Sequence, residues 1–303
     1  MRKHGRTATA LVCRAVDEAG TLLMERTMST PEPRYAQAGD LEVSFRDRAV
    51  VRPLYLDPEE ARRFHEWLLI IRRTGVPYAL GGAYAHYAYT GVWRDSKDMD
   101  VFVRPQDVRQ LLDAFETAGY DTELRDPRWL AKVHSPPHLL DILFAVRHMT
   151  RLRIDDDWLR TATAARFLGV PTRILRPEEI IATKAYIANR DRFDGADVLH
   201  LIRALQGEVD WQRLVDLLEG DEEIVLWHLV LFAFVYPMHR EWLPKELMRR
   251  AFERLQSTPA LFGARAFRGA VLDPISFRVD VGEWGYRDAG AAPPLLDREG
   301  RPL

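Results

Sequence analysis

The sequence predicts an α+β fold, a small mixed-sheet domain with helices followed by a helical bundle. Three observations lead there. Between about residues 56 and 176, helical periodicity alternates with short apolar runs of period two. Beyond Pro177 five helical stretches follow one another without a strand pattern between them. A chain of 303 residues with 47% hydrophobic and 29% charged content can bury the core that such an arrangement needs.

In chain order, residues 1–55 form an N-terminal extension of weak periodicity, with turn-rich STPEPRYAQAGD and a hairpin pattern around LEVSFRDRAVVRPLYL. DPEEARRFHEWLLIIRRTG is a helix with Asp57 as N-cap, Pro58 at the first position, acids in the first turn and Gly75 past its end. VPYAL then reads as a strand, Gly81-Gly82 as a turn, AYAHYAYTG as a helix closed by Gly91, and DMDVFV as a strand. RPQDVRQLLDAFETAGY gives an amphipathic helix with Leu111, Leu112 and Phe115 on one face. WLAKVHS and HLLDILFAV form a strand pair, and GVPTRIL ends the sheet domain, assigned to 56–176. A helical domain over 177–258 comprises PEEIIATKAYIANR, GADVLHLIRAL, DWQRLVDLLEG, EEIVLWHLVLFAFV and KELMRRAFERLQ, and an irregular tail occupies 259–303.

A net charge of −2 gives no overall signal for nucleic acid or an anionic membrane. Cys13 is the single cysteine, which excludes an internal disulfide and a cysteine-rich zinc site and fits a reducing cytoplasm. The N-terminus is a poor secretory signal, broken by Arg14 and Asp17, and the longest apolar run, at 224–238, falls short of the roughly 20 residues of a spanning helix. A cytoplasmic protein without a membrane partner is expected.

The chemistry is carried by acids. On a strand Asp98 and Asp100 point the same way, while Met99 and Val101 face the other. Asp141 interrupts the apolar strand HLLDILFAV, sharing a face with Leu139 and Leu143. A buried carboxylate there needs a cation, a hydrogen-bonded base or the edge of an open cleft. A divalent ion would satisfy all three acids, and oxygen-only ligands select Mg²⁺ or Mn²⁺ over zinc. The plainer alternative is that Asp98 and Asp100 begin an exposed strand and Asp141 pairs with an arginine. Gly81 and Gly82, between a strand and a helix, leave room for a phosphate near backbone N–H groups.

Strand, Gly-Gly, helix, Arg94, Ser96, Asp98-x-Asp100 and a later strand aspartate together resemble the DNA polymerase beta-like nucleotidyltransferase superfamily. The form GGAYAHYAYTGVWRDSKDMDVFV is most similar to small bacterial nucleotidyltransferases of the abortive-infection toxin type. The resemblance covers roughly 78–205. It departs from the pattern in Ala83, where many members carry serine, and in a longer interval to Asp98.

The resemblance implies a catalytic domain that transfers a nucleoside monophosphate from an NTP, ATP among them, to a hydroxyl acceptor with release of pyrophosphate. Asp98, Asp100 and Asp141 would be the catalytic metal ligands, and Gly81, Gly82, Arg94, Ser96 and Lys184 would bind the nucleotide. The toxin-type pattern has a helix lysine reaching the phosphates and a following acid supporting the site, here among Asp191, Asp194 and Asp197. Lys184 on a solvated helix face, and Arg94 paired with Asp95, are the bland alternatives; His86 and His200 read as structural, and Trp284 and Tyr286 as packed. Acceptor candidates are a tRNA 3′ end, a protein or a small molecule. A catalytically idle nucleotide- or partner-binding protein, such as a toxin-antitoxin component, is the competing reading.

Overall fold

The computed structural model describes residues 11–16, 22–28, 35–146, 149–218, 221–257 and 266–288. The elements begin with β1 (Leu11–Val16), β2 (Leu22–Met28), β3 (Gln37–Phe45), β4 (Arg48–Tyr55), α1 (Pro58–Thr74), β5 (Ala79–Leu80), α2 (Gly82–Thr90), β6 (Asp98–Phe102) and α3 (Val108–Thr117). They continue through β7 (Asp121–Asp126), β8 (Leu130–Ser135), β9 (His138–Leu143), β10 (Ala145–Val146), β11 (Met149–Arg153), α4 (Asp156–Thr161), β12 (Thr163–Phe167) and β13 (Val170–Ile174). Helices α5 (Pro177–Ala185), α6 (Gly195–Ala204), α7 (Trp211–Leu217), α8 (Glu222–Val235) and α9 (Lys245–Ser257) follow, then β14 (Ala266–Phe267), α10 (Gly269–Leu272), α11 (Arg278–Gly282) and β15 (Arg287–Asp288).

Nine strands form one mixed sheet in the order β4-β3-β12-β13-β5-β6-β9-β8-β7. The pairs β13/β5 and β6/β9 are parallel and the others antiparallel. The fold is thus the mixed α/β arrangement that the alternating patterns predict. The sheet is larger than those patterns suggest, because the β3–β4 hairpin, from the residues set apart as an extension, pairs with β12 at one side. At the other side lies β7, DTELRD, an edge strand without an apolar alternation.

Helix α1 starts where its caps dictate. Asp57 accepts from the Glu59 N–H at 2.8 Å, Glu60 reaches back to the Asp57 N–H, and Gly75 closes the helix at φ 71°. Phe64, Trp67 and Leu68 of α1 are fully buried with Leu111 and Phe115 of α3, and the Phe64 ring meets Tyr84 of α2 edge-on at 5.8 Å. Burial of each such side chain is worth about 1.5–3 kcal/mol. This core holds α2 firmly against the sheet.

The helices after Pro177 are tied to the sheet by charge as well as by packing. Arg213 of α7 donates to Glu179 of α5 at 2.6 Å and to Asp157 of α4 at 2.7 Å. Helix α5 is shorter than the apolar spacing predicts, ending at Ala185. The chain turns back there: the Asp194 N–H donates to the Ile187 carbonyl at 3.0 Å, and Ala188 bridges Phe193. That turn returns two acids to α5. Among the described residues no helix is long and apolar enough to cross a membrane.

Candidate active site

The Gly-Gly turn is required by what lies beside it. The Gly81 N–H donates to the Asp100 carbonyl at 3.0 Å, so a Cβ on Gly81 would stand 2.1 Å from the Phe102 ring. Gly82 opens α2 at φ 53°, and a Cβ there would lie 1.7 Å from Asp100 Oδ2. No side chain fits either position. The absence of side chains brings the first turn of α2 directly against a carboxylate.

Along β6, Met99 and Val101 are wholly buried while Asp98 and Asp100 share the opposite, half-buried face. On β9, Leu140 and Ile142 are wholly buried and Asp141 is half-buried on the other face. The parallel register sets Asp100 beside Asp141 and Asp98 beside Leu139. Asp141 is also opposite Lys132 of β8, whose Nζ donates to Oδ1 at 2.7 Å. Lysine thus takes the place of the arginine expected for a paired Asp141, and the pair lies at the cleft instead of in the core.

Of the three acids only Asp141 is in an ion pair with a cation, Lys132, among the described residues, and the proton affinities of the other two reflect the crowding. Burial, followed by the negative charge of Asp141, pushes Asp100 up to about 7, with Lys184 and Arg192 pulling the other way. Asp98 is raised as well, by burial and then by Asp141, and is relieved in part by Lys132 and Lys97. The donor set is oxygen only and crowded enough that burial and mutual repulsion outweigh the nearby cations. It fits a hard divalent cation.

The cleft is bounded on its far side by Thr183, Lys184, Arg192 and Asp194, opposite Gly82, Asp100 and Asp141. Lys184 is buried and donates to Asp194 at 2.9 Å, with Asp197 at 2.8 Å, so the solvated-face alternative does not describe it. Arg192 makes two 2.7 Å bonds to Asp194. Burial opposes the charge on Asp194, yet bonds from Arg192 and Lys184 hold its carboxyl below the usual range. Asp197 is likewise held low against burial by Lys184, with help from His86 and Arg94.

Arg94 reaches Asp197 across the cleft's shoulder, while Asp95 accepts from the Trp93 indole at 3.0 Å, so the alternative Arg94–Asp95 pairing does not describe it. Ser96 Oγ bonds the backbone of Asp98, at 3.0 Å to the carbonyl and 3.3 Å to the N–H, which fixes the turn entering β6. The structure therefore gathers Gly82, Asp100, Asp141 and Lys184 around one cleft, keeps Asp98 and Gly81 next to them, and puts Ser96 and Arg94 on the approach. His86 is buried, its imidazole held down to about 4 by burial. Trp284 and Tyr286 are both exposed, contrary to the packed role expected of them, although the Tyr286 ring lies 5.6 Å from that of Phe267. Lys132 and Arg192 escaped the sequence reading. Lys132 was visible only through the strand register, two residues before His134 in a pattern that gave no sign of its partner.

A sequence match that runs from α1 into α8 makes the chain a nucleotidyl transferase, and so an enzyme. Residues 61–224 match the family described as nucleotidyl transferase of unknown function (DUF2204), and the chain belongs to that family. No curated protein matches the chain in sequence. Among solved structures it is similar to the antibiotic-resistance factor ANT(2'')-Ia, at 17% identity over 61% of this chain and 98% of that one, with a TM-score of 0.36. It is also similar to the lincosamide antibiotic adenylyltransferase LnuA, at 16% identity over 48% of this chain and 96% of that one, TM-score 0.36. A tRNA nucleotidyltransferase complexed with a primer tRNA and an incoming ATP analog shares 14% identity over 63% of this chain and 67% of that one, TM-score 0.26. The family assignment rests on the sequence match.

Proposed function

We propose that the protein transfers a nucleoside monophosphate from an NTP to a hydroxyl group, with release of pyrophosphate, using Asp98, Asp100 and Asp141 as its catalytic acids. The observation that carries this reading is the register of β6 and β9, which sets Asp100 beside Asp141 over the side-chain-free first turn of α2. The same three residues would hold Mg²⁺ or Mn²⁺, which supplies charge neutralisation for the triphosphate and the reacting oxygens.

The remaining work falls to the chain's own groups. The acceptor oxygen attacks the α-phosphorus, the bond to the bridging oxygen of the β-phosphate breaks, and pyrophosphate leaves. Asp141 takes the proton of the acceptor hydroxyl, and Lys132, bonded to its Oδ1, orients the carboxylate. Gly81 and Gly82 let phosphate oxygens approach the backbone and the positive end of α2. Ser96 sets the entry of β6, and Arg94, held by Asp197 on the approach, would reach a phosphate by exchanging that carboxylate for it. Lys184 stands within the cleft wall and contributes its charge from the Asp194–Asp197 cradle.

The sheet residues supply the chemistry and the helices after Pro177 the opposite wall. The Arg94-x-Ser96-x-Asp98-x-Asp100 form supports placing the protein beside the abortive-infection toxin type, with a tRNA 3′ end, a protein or a small molecule as acceptor. Purified protein with Mg²⁺ and each α-³²P-labelled NTP should label one of three acceptor pools: total RNA, lysate protein or aminoglycosides. Asp98→Ala/Asp100→Ala should label none. Nucleotide binding without transfer to any pool would turn the reading to an idle nucleotide-binding protein.

A further inference from the structure

One turn along α2 from the cleft, two imidazoles that the transfer chemistry does not use converge on Asp197, the acid that holds Arg94 and Lys184. His86 comes from α2, and Asp197 and His200 come from α6 at a spacing of three, which puts the latter two on one helix face. One ligand atom from each lies within 4.8 Å of the other two, and His86 Nε2 is 3.9 Å from Asp197 Oδ1. His86 Nε2 and His200 Nδ1 are buried without a hydrogen-bond partner, and Asp197 Oδ1 is reached by Arg94 from the loop before β6. A buried polar atom left unpaired costs about 1–3 kcal/mol in general, and two imidazoles with such atoms beside one carboxylate call for a common partner. His86 and Asp197 are almost wholly inaccessible to solvent.

We propose that His86, Asp197 and His200 form a second metal site, for Zn²⁺, separate from the carboxylate cleft. Two imidazoles and one carboxylate are the donors of a three-ligand zinc centre with one open position, and imidazole nitrogen selects zinc over the Mg²⁺ of the all-oxygen cleft. Ligand atoms around a tetrahedral zinc stand about 3.3 Å apart, so the three close inward by an ångström or so. His86 Nδ1 lies 3.4 Å from Thr90 Oγ1, which orients the ring so that Nε2 faces the site.

Two cations already touch Asp197. Lys184 sits on Oδ2 and stays there, whereas Arg94 sits on Oδ1, the ligand atom, from a half-exposed side chain on the loop before β6. The ion therefore displaces Arg94 from Asp197. It joins α2 to α6 and releases the guanidinium on the approach to the carboxylate cleft. Geometry and unpaired donors carry this site, and it stands whether or not the chain transfers nucleotides.

The test uses tag-free, full-length, metal-stripped protein titrated with Co²⁺ in excess Mg²⁺, followed by displacement with Zn²⁺. One equivalent should bind with visible d–d absorption and be displaced by one equivalent of Zn²⁺. His200→Ala, at the half-exposed ligand, should weaken binding by at least the ~10–100-fold that loss of an outer-shell partner costs; His200→Asn repeats the test should the alanine variant not fold. Asp98→Ala/Asp100→Ala should keep the band, and Arg94→Ala should bind more tightly. No band in folded wild type, or one that survives loss of His200 or vanishes with Asp98 and Asp100, overturns the site. Equal affinity in Arg94→Ala overturns the displacement.

Discussion

Two groups of aspartates lie at and beside the same cleft in opposite electrostatic conditions. Of Asp98, Asp100 and Asp141 only Asp141 is in an ion pair among the described residues, with Lys132, and burial with mutual repulsion raises Asp98 and brings Asp100 to about 7. Asp194 and Asp197 are at least as buried, but Lys184, Arg192 and Arg94 surround them, and both stay below the usual carboxylate range. Residue type alone does not tell a metal-seeking acid from a structural one. The nearby positive charge does, and it sets the acids of β6 and β9 apart from those bound by Lys184, Arg192 and Arg94.

Substitutions should separate the two groups. Asp98→Ala/Asp100→Ala should lower transfer by about 10³-fold or more while leaving thermal stability unchanged or slightly higher in metal-free buffer, since it removes repelling charge. Activity and melting temperature measured on the same preparation check both halves. Asp194→Ala should do the reverse of the second half. It strips Lys184 and Arg192 of a partner and should cost about 3 kcal/mol in denaturant unfolding; a loss below about 1 kcal/mol would erase the contrast.

Gly82→Ala joins a strained left-handed position to a collision with the Asp100 carboxylate. A destabilisation of about 1–3 kcal/mol and a loss of activity are expected, whereas Gly75→Ala at the end of α1, where no atom lies within 4 Å of the added Cβ, should keep activity.

The smallest effect is in pH. Asp100 has a folded pKa of about 7 against an ordinary 3.8, so its contribution to stability is full below 3.8 and is lost as pH rises through about 7. Asp194 has the opposite sign, its contribution being present above 3.8 and lost as pH falls through its lowered value. In chelator, Asp100→Asn should flatten the decline on the neutral side and Asp194→Asn the decline on the acid side. Melting temperatures across the range decide it.

Much of this was legible before any coordinates. The Asp57 cap, Pro58 and Gly75 define α1 by local chemistry alone, and period-two patterns place β6 and β9, whose faces follow from alternation. The Gly-Gly turn was readable as a close approach, although its cause, Phe102 on one side and Asp100 on the other, depends on the sheet. Strand β7 was invisible because an edge strand that packs one polar face lacks the alternation that marks a strand. The partners Lys132–Asp141 and Arg94–Asp197 lie nine and 103 positions apart and are joined only by register and by the packing of α6 on α2. For His86 and His200 the sequence offered Asp197-x-x-His200, a helix-face pair, with no sign of the third member on α2.

The most direct test of the central claim, that the β6/β9 acids, where burial and mutual repulsion outweigh the nearby cations, hold the catalytic ion, is a Mn²⁺ titration in the presence of ATP, comparing wild type with Asp100→Asn and Asp194→Asn. The account predicts that Asp100→Asn weakens ion uptake by at least about tenfold, as removal of a ligand should, while a folded Asp194→Asn protein retains it. Equal uptake by wild type and Asp100→Asn, or loss in Asp194→Asn alone, would contradict it.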